Sequence, residues 1–344
     1  MKLLVVRRDN IGDLVCATPL IAALRKRYPD AHIAALVNSY NAGVLHGNPD
    51  VNAVHAYTKL KHRRPGQSAI GIVRDRFRML AQLRRGRFDY VVLAKAQFDR
   101  HGLALARWIA PRHIVGVAPA SGRGAKRITD PVPPIPFADL HEVEAMMKLA
   151  APFGVDEAPG PLRVFAAPEL AARWRERFPA LGERRAVAVH ISAREPGRIW
   201  PPEKFVSLIK NLGTAHVVLL WSPGAADNPR HPGDDEKAAA IASQAGANAR
   251  IIPAKTESLE DLAAILSLCR AFIGPDGGAM HMAAGLGLPV VALFENLPYK
   301  KLHWHPWQVP YEMVCPDTRD IADIPVERVT EAWLRLARRT TPSS

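Results

Sequence analysis

A carboxylate and a glycine follow the first apolar run of the chain. The run is Leu3-Leu4-Val5-Val6, and residues 10–13 (NIGD) come soon after it. Two interpretations of Asp13 stay open. Asp is a favoured N-cap of a helix, but a carboxylate at the mouth of a cleft can also act as a general base that takes the proton from an attacking hydroxyl. A position near a helix start weighs against the second interpretation, because the positive end of the helix dipole lowers the basicity of a carboxylate.

A glycine-rich stretch follows a later apolar run. Residues 274–285 read GPDGGAMHMAAG. Gly277 and Gly278 let backbone amides approach a ligand closely, and with the start of the following helix they form an anion site suited to a diphosphate. His281, in the first helical turns, can donate to a phosphate. The alternative is a glycine-rich turn before a helix that Asp276 caps. The spacing is neither the GxGxxG dinucleotide pattern nor a P-loop.

Two arginines stand in a loop after the first strand expected in the second half. Residues 192–201 read SAREPGRIWP. Arg194 and Arg198 can clamp phosphates, since the guanidinium fork matches phosphate oxygens. The alternative is a solvated loop with two surface arginines.

Positive charge is concentrated in the first half of the chain. The net charge is +13 at pH 7 with histidine neutral; residues 1–165 carry +12 and the remainder +1. An asymmetry of this size indicates that the first half meets an anionic partner. The candidates are a phosphorylated lipid, an anionic membrane surface and nucleic acid.

The densest basic segment is residues 59–87, which holds ten Lys or Arg residues and one acid, Asp75. Apolar residues at helical spacing share one face within it; they are Ile70, Val73, Phe77 and Leu80. The segment is either a basic amphipathic helix suited to an anionic surface or an ordinary helix with a solvated face. A second basic cluster, residues 123–127 (RGAKR), can bind phosphates or carboxylates.

The cysteines, the histidines and the lengths of the apolar runs indicate the cellular compartment and the kinds of catalytic site to expect. Cys16, Cys269 and Cys315 form no CxxC or Cys/His pattern, which indicates free thiols in a reducing compartment. The thirteen histidines show no metal-ligand spacing, and no nucleophile motif such as GxSxG occurs. The apolar runs are shorter than the core of a signal peptide or the roughly 20 residues of a membrane span. We therefore expect a cytoplasmic protein without a metal.

Alternating apolar strands and helices predict an α/β protein with parallel sheets. A chain of 344 residues exceeds the roughly 250–300 residues of a single core, so two domains are expected. A linker is predicted at residues 158–161 (APGP), and the proline-rich residues 131–136 are expected to be irregular. Ligands of doubly wound sheets bind beyond the carboxyl ends of the strands. All three stretches described above follow strands, so we expect them at such ends, facing a cleft between the halves.

Together these motifs resemble glycosyltransferase family 9, the ADP-heptose–lipopolysaccharide heptosyltransferases. The strongest match is residues 276–294, which are similar to the family's run D-[ST]-G-x-x-H-x-A-x-x-L-x-x-P-x-[VI]-x-[LV]-[FY]. The resemblance spans nearly the whole chain. Its other motifs are residues 8–13 (RDNIGD) with Thr18-Pro19, the helix expected at 141–154, and residues 198–201 (RIWP).

The resemblance implies a GT-B architecture of two Rossmann-like domains. An acceptor-binding domain is expected at 1–160, a nucleotide-sugar-binding domain at 161–325, and a last helix in 326–344 that returns to the N-terminal domain. Asp13 aligns with the family's proposed catalytic base. The residues expected to bind the donor are Gly12, Ser192, Arg194, Arg198, Asp276, Gly277, Gly278, Met280 and His281. The residues expected to bind an anionic acceptor are Lys61, Arg63, Arg64, Arg123, Lys126 and Arg127.

Three features depart from the family pattern, and all concern the donor. Gly277 stands where the family has Thr or Ser, and Glu295-Asn296 stand where it usually has Gly. Residues 222–235 are long and rich in Pro and Asp, near where family members often recognise the nucleotide.

The predicted activity is inverting, metal-independent and cofactor-free transfer of a sugar, heptose from ADP-heptose, to a lipopolysaccharide core or a related acidic glycan. An anionic glycolipid acceptor suits the basic first half, as does peripheral contact with the cytoplasmic face of the inner membrane. The alternatives are a family member that uses another nucleotide-sugar and a basic nucleic-acid-binding protein without catalysis. The absence of a nucleic-acid motif and an aromatic content of 7% argue against nucleic acid as a partner.

Overall fold

Residues 1–58, 68–119, 121, 125–182, 185–213, 215–228, 232–246 and 249–340 are described by the structure, a computed structural model. The chain divides into two compact units, Met1–Arg163 and Val164–Ser344. Each unit contains a parallel β-sheet flanked by helices, which confirms the α/β prediction.

In the first unit, the described strands are β1 (Lys2–Val6), β2 (His32–Asn38), β3 (Ala53–Tyr57), β4 (Tyr90–Leu93), β5 (His113–Val117) and β6 (Asp130–Val132). The described α-helices are α1 (Ile11–Cys16), α2 (Thr18–Arg27), α3 (Ala69–Arg85), α4 (Arg100–Ile109) and α5 (Glu142–Met147). The strand order is β3-β2-β1-β4-β5-β6. The apolar run that predicted a strand is the centre of this sheet, because β1 has neighbours on both sides and its side chains from Leu3 to Val6 are buried.

In the second unit, the described strands are β7 (Ala186–His190), β8 (Val217–Leu220), β9 (Ile251–Ala254), β10 (Cys269–Pro275), β11 (Val290–Leu293) and β12 (Tyr311–Val314). The described α-helices are α6 (Pro168–Arg177), α7 (Pro202–Asn211), α8 (Asp235–Ala245), α9 (Leu259–Ser267), α10 (Gly278–Gly285), α11 (Pro298–Trp304) and α12 (Val326–Thr340). The strand order is β12-β11-β10-β7-β8-β9, so this sheet repeats the topology of the first.

The chain reverses its direction of winding at one point in each sheet. β1 lies between β2 and β4, and β7 lies between β8 and β10. Val6 pairs with Leu93 at the carboxyl end of β4, and Val189 pairs with Ile273 in β10. Doubly wound sheets bind ligands beyond the carboxyl ends of the strands at such reversals. The loops that follow β1, β7 and β10 all begin there.

Two segments differ from their sequence-based expectation. The proline-rich segment is not wholly irregular, because Asp130–Val132 form β6; this is an edge strand, where a proline such as Pro131 is tolerated. The helix expected at 141–154 is α5 followed by a 3₁₀ helix, Lys148–Phe153, which contains Pro152.

The last helix packs within the second unit. α12 packs against β12 and α7 in the second unit, and its apolar face is part of that unit's core. The buried side chains are Val329, Ala332, Trp333 and Leu336. The described part of the segment, residues 326–340, therefore contributes its apolar face to the core of the second unit, and the expected return to the N-terminal domain stays a prediction.

Candidate functional site

A buried arginine organises the loop after β1. Arg7 is 3% exposed. Its Nη2 lies 2.6 Å from both Asp13 Oδ1 and Glu142 Oε1, and its Nη1 donates to the Ala94 carbonyl at 2.5 Å. Burial lowers the pKa of Arg7, but the negative charges of Glu142, Asp13 and Asp9 outweigh it and raise that pKa above its ordinary value. Arg7 therefore stays positively charged, and its contacts connect the ends of β1 and β4 to α1 and α5.

Asp13 is oriented through both of its carboxylate oxygens. It is the third residue of α1, whose N-cap is Asn10. Oδ1 accepts from Arg7, and Oδ2 accepts from the Asn10 N–H at 2.8 Å. The side chain remains 14% exposed. Asp13 is therefore not the N-cap that one interpretation predicts, because Asn10 holds that position, but it stabilises the helix start from the third residue of α1. Its role as general base stays a prediction.

Neither Arg7 nor Glu142 is among the predicted site residues. They are 135 positions apart in sequence, so no local pattern could have joined them. The nearest sequence signal was that Arg7 immediately precedes the RDNIGD motif and Glu142 opens the helix expected at 141–154.

In the second unit, Asp276 directly follows β10 and is 6% exposed. Its Oδ2 lies 3.3 Å from Arg198 Nη1, and its Oδ1 lies 4.0 Å from His281 Nε2. Burial raises the pKa of Asp276, while the charges of Arg198 and Lys300 oppose that shift and the charge of Glu295 adds to it. Three predicted donor-binding residues, Arg198, Asp276 and His281, are thus brought together by the fold.

The start of α10 is not capped by Asp276. The N-cap is Gly277, no side-chain cap bond is formed there, and the Asp276 carboxylate faces Arg198 instead. The first N–H groups of a helix have no acceptor within it, and Gly277 and Gly278 are partly exposed. Main-chain donors at this turn are therefore accessible to an anion.

Met280 and His281 contribute differently from each other. The Met280 side chain is fully buried, so only its main chain can meet a ligand as predicted. The His281 ring is 2% exposed and packs edge-to-face on Trp304 of α11, with 5.8 Å between centroids. The aromatic contact fixes the ring beside Asp276.

Glu295, which in the sequence stands out only as a departure from the family pattern, connects the cations of this site. It is 4% exposed; its Oε2 accepts from Arg198 Nε at 3.1 Å and also from Lys300 Nζ. Burial raises the pKa of Glu295, but hydrogen bonds and charges from Lys300 and Arg198 outweigh it and lower that pKa overall. Gly197 lies close by: a Cβ there would be 2.8 Å from Glu295 Oε1, so the glutamate side chain would have to shift to admit a larger residue.

The loop after β7 places the other predicted donor residues. Ser192 Oγ accepts from the Ser222 N–H at 2.8 Å and so joins the loops after β7 and β8. Arg194 lies in the same loop and is exposed. Lys237 of α8, which belongs to no sequence motif described above, donates to the Ile191 carbonyl at 2.7 Å, and burial lowers the pKa of this lysine.

The remaining predicted residues are not brought into one described cluster. Gly12 is buried in α1 of the first unit, next to Asp13. Lys126 and Arg127 are exposed in a 3₁₀ helix, Ala125–Arg127. The other predicted acceptor residues lie outside the described residues; they are Lys61, Arg63, Arg64 and Arg123.

The described residues contain neither a metal-binding cluster nor a membrane-spanning helix. No three His, Cys, Asp or Glu side chains in the described ranges are placed to hold a metal ion together. Among the helices described, none has the length and apolar character needed to cross a membrane.

Comparison with known proteins identifies relatives along most of the chain. The family model described as glycosyltransferase family 9 (heptosyltransferase) matches residues 76–332. Lipopolysaccharide heptosyltransferase 3 of Escherichia coli (strain K12) is 24% identical over 304 residues, which are 86% of this chain and 82% of the relative. Lipopolysaccharide heptosyltransferase 2 of Salmonella typhimurium is 28% identical over 315 residues, with the same coverage of 86% and 82%.

Solved structures share the fold. A glycosyl transferase family 9 structure from Veillonella parvula DSM 2008 has a TM-score of 0.82 at 19% identity, covering 98% of this chain and 97% of that one. E. coli ADP-heptose lps heptosyltransferase II has a TM-score of 0.76 at 20% identity, covering 98% and 99%. E. coli heptosyltransferase WaaC with ADP-2-deoxy-2-fluoro heptose has a TM-score of 0.74 at 19% identity, covering 97% and 99%. These likenesses confirm the predicted GT-B fold.

Proposed function

The chain belongs to glycosyltransferase family 9, and on that premise we propose that it transfers heptose from ADP-heptose to a lipopolysaccharide core or a related acidic glycan. Family membership makes it a glycosyltransferase. The observation that carries the proposal further is the cluster after β10, where the accessible start of α10 stands beside Arg198 and His281.

We assign the donor diphosphate to this cluster. Main-chain N–H groups at a helix start and a guanidinium are the groups that bind phosphate oxygens well. The charge on the diphosphate grows as the sugar–phosphate bond breaks, so donors already aimed at it stabilise the transition state. Glu295 supports this arrangement by orienting Arg198 and Lys300 before a ligand arrives.

Asp13 is the proposed general base. It takes the proton of the acceptor hydroxyl while that oxygen forms a bond to the anomeric carbon, and ADP leaves with the electron pair of the broken bond. Attack on the face opposite the diphosphate inverts the anomeric centre. Arg7 acts as a positioning residue, because it holds Asp13 Oδ1 at 2.6 Å. No metal is assigned a role in this scheme.

The acceptor is proposed to be an anionic glycolipid, which places the reaction at a membrane surface. The support is the excess positive charge of residues 1–165 together with the heptosyltransferase relatives, whose names include lipopolysaccharide.

The proposal is tested by ligand-induced thermal stabilisation followed by turnover. We expect ADP-heptose to raise the midpoint of unfolding more than UDP-glucose does, because a ligand that binds the native state stabilises it. We also expect ADP release with a heptose-deficient lipopolysaccharide core, an inverted linkage by NMR and no loss of rate with a chelator. Stabilisation by UDP-glucose alone would assign another donor, and stabilisation by DNA without any nucleotide-sugar effect would favour nucleic acid as the partner.

A further inference from the structure

Two helices of the first unit leave an apolar surface exposed. Ile70, Val73 and Phe77 of α3 are 81%, 42% and 53% exposed, and Trp108 of α4 is 59% exposed. The Phe77 and Trp108 rings meet edge-to-face with 5.9 Å between centroids, so the surface is continuous across both helices. We call these four residues the α3–α4 surface. No other pair of helices in the described residues exposes four large apolar side chains.

This surface is not the face by which α3 packs on the rest of the unit. Ile72, Leu80 and Leu83 form that packing face and are buried. The single apolar face that the sequence predicts is therefore divided, with Leu80 inside and the other three residues outside. The exposed residues do not contribute to the core. A contiguous exposed apolar patch, unlike a scattered residue, marks an interaction site.

The charges around the α3–α4 surface are almost all positive. α3 contains five arginines and one acid, and α4 contains two arginines and no acid. The acid, Asp75, is two positions from Phe77 and so about 200° around the helix from it. Arg84 borders the aromatic pair directly, because its Nη1 donates to the Trp108 carbonyl at 2.9 Å.

We propose that the α3–α4 surface docks on an anionic lipid bilayer. Phe77 and Trp108 enter the boundary between headgroups and acyl chains, and the surrounding arginines contact headgroup phosphates. Aromatic residues flanked by cations suit this boundary, and Trp is enriched there. The near absence of acids favours a lipid surface over a protein partner of mixed charge. The inference rests on the lipid-linked acceptor of the proposed function, but its test does not depend on sugar transfer.

The experiment is co-sedimentation of the full chain with vesicles of phosphatidylcholine, with and without phosphatidylglycerol. We expect binding to the phosphatidylglycerol vesicles that weakens as salt rises. The double substitution Phe77→Ser with Trp108→Ser should weaken that binding at least about tenfold, since it removes two inserted aromatic side chains. Leu334→Ser, on α12 and 47% exposed, is the matched control and should bind as the unchanged protein does.

A second measurement distinguishes insertion of Trp108 into the bilayer from binding at the vesicle surface. Brominated acyl chains should quench part of the tryptophan fluorescence of the bound protein. Trp108→Phe should keep vesicle binding and lose most of this quenching. If the double variant binds vesicles as tightly as the Leu334→Ser control, the assignment of this surface is wrong. If the chain ignores vesicles and instead forms a dimer that the double variant abolishes, the surface contacts protein and the proposal also fails.

The test of the docking surface and the test of the proposed function can fail independently of each other. Transfer to a soluble, delipidated acceptor should be unchanged in the double variant, because neither residue belongs to the donor cluster or contacts Asp13. Vesicle binding without transfer would refute the proposed function alone. Transfer without vesicle binding would refute the docking surface alone.

Discussion

Among single side chains, Asp13 is the most direct test of mechanism. Asp13→Asn keeps the side chain's size and removes its basicity. We expect the turnover number to fall by about 10²–10⁴-fold, the usual contribution of a general base, with an unchanged Kd for the donor. Asp9→Asn is the matched control, because Asp9 lies 3.8 Å from the same arginine and is 34% exposed. Turnover near the unsubstituted rate in Asp13→Asn would remove Asp13 from the mechanism.

Arg198 carries the corresponding prediction for the donor. Arg198→Ala should raise the donor KM roughly tenfold to a hundredfold, because a hydrogen bond to a charged group contributes about 1.5–3 kcal/mol. Steady-state kinetics with varied donor measures this effect. Arg319→Ala is the comparison: Arg319 lies 4.0 Å from Glu295 but is 70% exposed, and screening by water makes its contribution small. An unchanged KM in Arg198→Ala would mean that the diphosphate is held elsewhere.

At the level of loops and helices, two glycines of the donor cluster have opposite tolerances. Gly197→Ala would bring a Cβ to 2.8 Å from Glu295 Oε1 and 2.9 Å from Asp320 Oδ1. The Glu295 carboxylate would have to shift, and its other oxygen, which pairs with Arg198 and Lys300, would shift with it. We therefore expect the donor KM to rise severalfold.

Gly277→Ala should be tolerated by the fold, and its readout is stability because Gly277 itself belongs to the proposed donor cluster. The φ of Gly277 is 166°, an extended conformation open to any residue, and the nearest atom to an added Cβ is the Pro275 oxygen at 4.0 Å. We expect the free energy of unfolding to stay within about 0.5 kcal/mol of the unsubstituted value, measured by urea titration. A loss of stability in Gly277→Ala as large as that of a core substitution would contradict this geometry.

For the protein as a whole, His190 links stability to pH. Burial lowers the pKa of this residue at the end of β7 from 6.5 to about 4, and the charge of Lys237 adds to the shift. Between those two pH values the unfolded chain binds more protons than the folded one, so the free energy of unfolding rises with pH across this window.

His190→Gln removes that titration. We expect the unsubstituted protein to lose up to roughly 3 kcal/mol between pH 7 and pH 4 through this group, and the variant to show a correspondingly flatter dependence. Urea unfolding at a series of pH values measures it. His101→Gln, at an exposed position of α4, should leave the slope unchanged. Equal slopes in all three proteins would show that His190 is not held neutral by the fold.

Local sequence was sufficient for the fold class and for the proximity of three residues in the proposed donor cluster. Apolar strands that alternate with helices dictate parallel sheets, and residues 276–294, on which the family resemblance chiefly rests, lie within the range 76–332 that the family model matches. Arg198, Asp276 and His281 lie together as expected, because the segments that hold them follow strands β7 and β10 and parallel strands bring their carboxyl ends to one edge. Their role in donor binding stays a prediction.

The other features of the structure depend on long-range packing, because the residues that contact each other are distant in sequence and share no local pattern. The pairing of Arg7 with Glu142 spans 135 positions, and that of Arg198 with Glu295 spans 97. The assignment of α12 to the second unit and the division of the α3 apolar residues into a buried and an exposed set have the same origin. Helical periodicity predicts which side chains share a face of a helix. Whether that face is buried depends on the neighbouring element that covers it, and the tertiary structure determines which element that is.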